Sequence, residues 1–239
     1  VLARLRTAAV FGIDACPVHV EVDVSFGFPS FIMVGLPDAS VRESRDRVRS
    51  AIRNSGFEFP PHKITVNLAP ADVRKAGAAF DLPIALGILA ASGVVGPLHV
   101  PDLVLLGELS LDGSIHPTRG VLPIAIAAHR DGLAGILLPA SNALEAAVVR
   151  GLSVLPVASL AEAVRALNDP ARAALARPSQ PPPGALVLAP DLADVRGQLL
   201  ARRALEIASA GGHNLLLVGP PGAGKTMLAR RVAGILPAL

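Results

Sequence analysis

The chain has 239 residues, of which 51% are hydrophobic and 17% charged, enough apolar material for one large core or two modest ones and too much for a disordered polymer. The formal net charge of +3 decides nothing about nucleic acid on its own, although all but three of the 22 basic residues are Arg, the side chain best suited to pair phosphate or carboxylate. The single cysteine, Cys16, excludes an internal disulfide, suits a reducing compartment and is expected to be a small buried residue.

The first apolar stretch follows Arg4 and Arg6, but Asp14 interrupts it too early for a signal peptide, so a cytoplasmic location is expected. From Leu2 to Phe26 the pattern is that of a β-hairpin. Val18, Val20, Val22 and Val24 alternate with His19, Glu21, Asp23 and Ser25, which places one face inside and the other in water. A short strand over Phe31–Val34 follows. Gly35-Leu36-Pro37 then turns the chain into a helix capped by Asp38 and running to Asn54, with Gly56 as its stop.

Two stripes mark that helix. Val41, Val48, Ala51 and Ile52 form an apolar one, and Arg42, Arg45, Arg49 and Arg53 form a basic one. The basic stripe could face DNA phosphates, but Glu43 and Asp46 are spaced to pair with Arg47 and Arg42, and a charged helix face is more often simply solvated.

Lys63–Leu68 (KITVNL) reads as a strand, and a loop with Pro70, Asp72, Arg74 and Lys75 comes after it. The uncharged run Leu82–Val100 is broken by Pro83, Gly87, Gly93, Gly96 and Pro97 and lacks anchoring aromatics. It reads as a buried helix (Asp81–Ser92) and a loop, so no membrane span is expected. Then come a strand over Leu103–Leu109, a turn at Asp112-Gly113 and a helix over Val121–Asp131, apolar nearly all round and therefore expected to be buried. A strand over Gly135–Leu138, a short helix over Asn142–Val149, a strand over Leu152–Val157 and a helix over Ser159–Leu167 complete an α/β unit with helices packed on its sheet. The six His (19, 62, 99, 116, 129, 213) show no ligand spacing, so no structural zinc is expected.

The domain division expected is 1–167 for this unit, 168–190 for a linker and 191–239 for a second unit. Pro170, Pro178 and Pro181–Pro183 set the linker apart. The second unit opens with a helix over Gly197–Ala210. The short apolar run Asn214–Val218 reads as a strand, Gly219–Thr226 (GPPGAGKT) fits G-x-x-x-x-G-K-[ST], and Met227–Ile235 resumes a helical pattern.

Those residue types suit a phosphate-binding loop of Walker A type. Gly219, Gly222 and Gly224 let the backbone curl so that successive N–H groups converge on an anion, with Pro220, Pro221 and Ala223 between them and Met227 just beyond. Lys225 is placed to reach β- and γ-phosphates of ATP, and the Thr226 hydroxyl to join the shell of Mg²⁺.

Several long segments then carry a resemblance: VGLPDASVRESRDRVRSAIRNSGFEFP, ITVNLAPADVRKAGAAFDLPIALGILAASG, GELSLDGSIHPTRGVLPIAIAAH and GHNLLLVGPPGAGKTMLARRVAGILP. The chain resembles the YifB/ComM family of magnesium-chelatase-like AAA+ ATPases over essentially its whole length. The resemblance implies an α/β, Lon-protease-like N-terminal domain and the beginning of a P-loop AAA+ module. It implies ATP-driven work by a homo-hexamer acting on DNA, as in branch migration during natural transformation. Asp194, Val195, Gly197 and Gln198 match the family's D-V-x-G-Q segment, which puts Val195, Gly197 and Gln198 on the adenine side.

A Lon-like domain raises proteolysis by a Ser-Lys pair as a rival. Laid on the Lon pattern, Lys75–Asp81 (KAGAAFD) puts Ala79 at the serine position and Pro117–Ile124 (PTRGVLPI) puts Leu122 at the lysine position. The nucleophile and its base are both missing, so the resemblance implies no protease activity, and Ser110 and Ser114 have no spaced Lys partner. The chain reaches Leu239 before any acidic segment, sensor or arginine finger of a motor, so hydrolysis is expected of an intact molecule. Arg230 and Arg231 are expected to be surface residues, and the second unit to bury little apolar area. Two further readings stay open: a non-catalytic module for partner binding or oligomerisation, and a subunit of a magnesium chelatase.

Overall fold

The structure is a computed structural model that describes residues 1–73, 75, 77–96, 102–169 and 190–236. Arg74, Pro97, His99 and nearly all of the Pro-rich stretch lie outside the described residues. The chain divides into two units, Val1–Ser179 and Gln180–Leu239.

The first unit is built on a seven-stranded mixed sheet. It begins with the hairpin β1 (Leu2–Phe11) and β2 (Asp14–Ser25), in register from Leu2 opposite Asp23 to Phe11 opposite Asp14. After β3 (Ser30–Val34) come helix α1 (Ala39–Asn54), β4 (Lys63–Ala69) and helix α2 (Asp81–Ala91). The second half supplies β5 (Leu103–Leu105), the small hairpin β6 (Glu108–Leu109) and β7 (Ile115–His116), α3 (Val121–Arg130) and β8 (Gly135–Pro139). It closes with α4 (Ala143–Ala147), β9 (Ser153–Val157) and α5 (Leu160–Asn168).

The strand order is β3-β4-β2-β1-β5-β8-β9. The β1–β2 and β2–β4 pairings are antiparallel and the other four are parallel, as helix-bearing crossovers require.

Period-two alternation divides the apolar residues between two cores. In β5, β8 and β9, Leu105, Leu137 and Leu155 join the core that holds α1, α2 and α5, while Val104, Ile136 and Val154 join the core that holds α3 and α4. The parallel half is thus covered on both faces, which explains its continuous apolar runs. On the antiparallel half the face toward α1 and α2 is packed throughout: Val18, Val20 and Val22 are fully buried, each removal from water contributing about 1.5–3 kcal/mol. The opposite face of that half is divided: Ala8 and Ala15 pack with α3 in the second core, while further along Asn67 donates to Glu21 at 2.9 Å and Arg4 pairs with Glu21 at 3.2 Å. At the α2–sheet contact Gly87 is required: a Cβ there would lie 2.6 Å from Val22 and 3.0 Å from Leu5.

Five expectations need correction. The strand over Leu103–Leu109 is broken at Leu106-Gly107, where Gly107 N–H donates to the Ala79 carbonyl and its own carbonyl accepts from Leu82, so Glu108-Leu109 pairs with β7 and leaves the main sheet. Helix α3 is not buried all round, because Ile126 is 52% exposed and Leu122 also faces outward. Arg47 does not stay within α1's own charge pattern; it forks onto Asp81. Cys16 is only half-buried. Asn168 belongs to α5, and its side chain accepts from Gly96 N–H at 2.8 Å and donates to the Val94 carbonyl at 2.9 Å.

Candidate functional site

The second unit starts with a 3-10 turn over Leu192–Asp194, helix α6 (Leu199–Gly211), an irregular stretch, the Gly219–Thr226 loop and α7 (Lys225–Arg230). Its small core is Leu192, Val195, Leu205 and Leu228. The expected strand over 214–218 is absent. No strand among the described residues pairs with it, so its backbone has no ladder partner, and Leu216 and Val218 are more than four-fifths exposed. The helix expected over Met227–Ile235 ends at Arg230 and tightens into a 3-10 turn over Val232–Gly234.

The loop takes its shape from two glycines with left-handed backbone, Gly222 (φ 82°) and Gly224 (φ 80°), the second leading into α7. Lys225 folds back across the loop, and its Nζ donates to the carbonyls of Gly219 and Pro220, both at 2.8 Å. Thr226 is exposed beside it, as is Met227, while Leu228 anchors the helix in the core.

The Asp194–Gln198 segment reaches this loop through one side chain. Gln198, itself left-handed at φ 53°, donates from Nε2 to the Ala223 carbonyl at 2.9 Å. Gly197, at φ 72°, makes the turn that aims it. Val195 is buried beneath, and its carbonyl accepts from Arg202 at 3.2 Å. Arg231 departs from the expectation of a surface residue: its Nε donates to the Asp191 carbonyl at 3.0 Å and it lies 3.7 Å from Asp194, leaving the side chain 19% exposed. Neither contact was legible in the sequence, since each joins residues 25 or more positions apart.

In the first unit the two positions aligned with the Lon pair hold no reactive group. Ala79 lies in a 3-10 turn (Ala78–Phe80) with its carbonyl accepting from Gly107, and Leu122 is the second residue of α3, its N–H donating to Glu145 at 3.0 Å. Ser110 Oγ lies 2.5 Å from His116 Nε2 on the exposed β6–β7 hairpin. The Ser114 amide and hydroxyl both donate to Asp112 and hold its carboxyl below the usual range.

Two buried charges sit near Ala79 in sequence. Asp81 has a fully buried side chain and receives Arg47 Nε at 2.7 Å, Arg47 Nη2 at 3.1 Å and the Leu109 N–H at 3.3 Å. Burial pushes its carboxyl up, against the pull of Arg47. Lys75 is buried with Nζ donating to the carbonyls of Gly35 and Pro70, and burial pushes its pKa down. The one hint in the sequence was a lone charge, Asp81, heading an otherwise apolar helix.

No group of three His, Cys, Asp or Glu residues that could hold a metal occurs among the described residues. None of the described helices is long and apolar enough to cross a membrane.

The family description "Subunit ChlI of Mg-chelatase" matches residues 20–142, and "Magnesium chelatase, subunit ChlI" matches residues 191–239. The chain belongs to the YifB/ComM family of magnesium-chelatase-like proteins. Over its full length it is 46% identical to the uncharacterized protein YifB of Escherichia coli K12, covering 46% of that chain. It is 43% identical to the competence protein ComM of Haemophilus influenzae, with 99% of this chain and 47% of that one aligned. The chain thus spans about half the length of these family members. A Lon protease of Chloroflexus aurantiacus is 30% identical over 167 residues, which cover 64% of this chain and 20% of that one. With the mixed sheet above, this makes the first unit a Lon-like α/β domain, followed by the start of a P-loop module.

Proposed function

We propose that this chain is the N-terminal portion of an ATP-dependent, DNA-acting AAA+ protein of the ComM type, and that Gly219–Thr226 is its nucleotide site. The observation that carries the reading is the Lys225 ammonium held across a glycine-shaped loop that Gln198 fastens to the Asp194–Gln198 segment. The residues fit ATP with Mg²⁺: Gly222 has open space where a Cβ would stand, and Gly224 turns the backbone so that amides from Gly222 to Thr226 can face one anion. Bound there, ATP supplies the phosphoanhydride whose hydrolysis drives the work. Lys225 neutralises phosphate charge, Thr226 donates its hydroxyl oxygen to Mg²⁺, and Val195, Gly197 and Gln198 lie on the adenine side.

The organisation that goes with this reading is a Lon-like domain over 1–167 without the Ser-Lys pair, a linker over 168–190 and the opening of the AAA+ module over 191–239. The intact protein would act in the cytoplasm as a homo-hexamer, in the DNA exchange of competence suggested by the ComM relative. Titration of the intact protein with Mg-ATP tests the site. Lys225→Ala is expected to weaken ATP binding at least about a hundredfold, the loss of a charge-assisted contact of about 3 kcal/mol. Unchanged affinity would remove the assignment.

The Ala79 and Leu122 positions favour a second reading for the first unit alone, a non-catalytic domain for partner binding or ring assembly. Sedimentation with and without ATP separates the two: nucleotide-dependent oligomers support the motor, and a monomer indifferent to ATP supports the module.

A further inference from the structure

On one side of the first unit, α1 presents Arg45, Arg49 and Arg53, all exposed and four residues apart, so successive guanidinium stems rise by about 6 Å along one face. Arg42, the fourth member of the sequence stripe, is turned away and donates to the Pro37 carbonyl. Among the described residues neither Arg49 nor Arg53 has an acidic partner within ion-pair distance, and Arg45 has only the neighbouring Asp46 at 3.8 Å. The three line a groove of about 220 Å³ together with Phe59 and His62. The Arg49 guanidinium lies over the Phe59 ring at 5.7 Å, a contact that attracts the cation without neutralising it.

The groove does not end at His62. That ring also lines an adjoining groove with Phe26, the two ring centroids being 5.3 Å apart. Phe26 is 97% exposed and Phe28, two residues on in the β2–β3 turn, is 95% exposed. Lys63 is paired in register with both Ser25 and Ser30 and so stands at the foot of that turn. Glu58, in the adjoining groove, adds one opposing charge.

We infer that this face is a binding site for a single strand of nucleic acid, with Arg45, Arg49 and Arg53 taking consecutive phosphates and Phe26, Phe28 and His62 taking unstacked bases. Arg suits the phosphates because its planar fork meets two oxygens at once. The exposed rings select a strand over a duplex, because bases in a duplex keep their faces stacked on one another. An acidic peptide would use the arginines and leave the rings without a role. The choice of DNA over RNA rests on the reading proposed above; the surface itself does not involve the phosphate loop.

The experiment is fluorescence anisotropy of a labelled 20-nucleotide oligo(dT) against the full chain, without nucleotide and over a range of salt, with a duplex of equal length alongside. Three phosphate contacts predict a log–log salt slope of about −2, at roughly 0.7 per contact for single strands. Arg49→Glu with Arg53→Glu is expected to lower affinity more than tenfold and flatten the slope by about 1.4, while the same two positions as Lys keep most of the binding. Phe26→Ala with Phe28→Ala is expected to lose at least about thirtyfold for the strand and to leave the salt slope unchanged. All these positions are exposed, and far-UV circular dichroism checks that the variants remain folded.

No binding of the strand, binding that survives both pairs of substitutions, or tighter binding of the duplex overturns the inference. So does retention by phosphatidylserine vesicles that depends on Phe26 and Phe28 when strand binding does not. ATP turnover by the intact protein that ignores DNA would instead remove the DNA-acting reading, so the two fail separately.

Discussion

Residues 135–139 (GILLP) and 214–218 (NLLLV) are both five-residue apolar runs, and they end in opposite states. The first is strand β8, wholly buried, with β5 on one edge and β9 on the other and helices over both faces. The second pairs with no strand among the described residues, and four of its five residues are exposed. Composition does not separate them. What separates them is neighbours: Leu137 exchanges backbone hydrogen bonds within a parallel ladder, whereas nothing among the described residues accepts the amides of Leu215–Leu217 into one. The Gly219–Thr226 loop is shaped regardless, because its geometry comes from Gly222, Gly224, Lys225 and Gln198 rather than from a sheet.

Amide hydrogen exchange is the most direct way to break that contrast. Amides of β8 are expected to open only with the whole unit and those of 214–218 almost freely, a ratio on the order of 10⁴ for a domain about 5–6 kcal/mol stable. Comparable protection in both runs would show that the second run finds strand partners in solution.

The next effect concerns the charge that the first unit buries. Arg47→Ala is expected to destabilise that unit by about 3–5 kcal/mol in urea unfolding, because it leaves the Asp81 carboxylate buried with only the Leu109 N–H. The pair also sets a pH dependence. The Asp81 pKa in the folded chain is raised, chiefly by burial, above its ordinary value, so the folded state holds that proton more tightly than the unfolded state does. Its contribution is therefore full below the ordinary carboxylate range and is lost as pH rises through the raised value. Asp81→Asn, which cannot ionise, should remove that slope, and the difference between the two unfolding profiles with pH reads it.

What was legible in the sequence is what local chemistry determines. The Val18–Val24 alternation marked β2, KITVNL marked β4, Asp38 marked the start of α1, and the glycine spacing marked the left-handed turns at Gly222 and Gly224. What was not legible depends on distant partners. Arg47 looked like part of a solvated face until α2 brought Asp81 to it from 34 positions away. Leu103–Leu109 looked like one strand because nothing local says that Gly107 must bond Ala79 and Leu82. The basic stripe on α1 was visible, but the rings beside it come from the β2–β3 turn and the segment after α1.

The smallest effect tests how much of α1 is local. Asp38 sits in extended geometry at the N-cap, and its Oδ1 accepts from the Val41 N–H at 2.9 Å and from the Ser40 hydroxyl at 2.8 Å. Asp38→Ala leaves one helix-end amide without its acceptor and is expected to cost about 1 kcal/mol. Asp38→Asn keeps an acceptor oxygen but drops the charge that favours a helix N-terminus, so it should cost only a few tenths of that. Equal losses from the two would assign the whole contribution to charge, and no loss from either would mean that the burial of Val41, Val48 and Ile52 against the sheet holds the helix start without its cap.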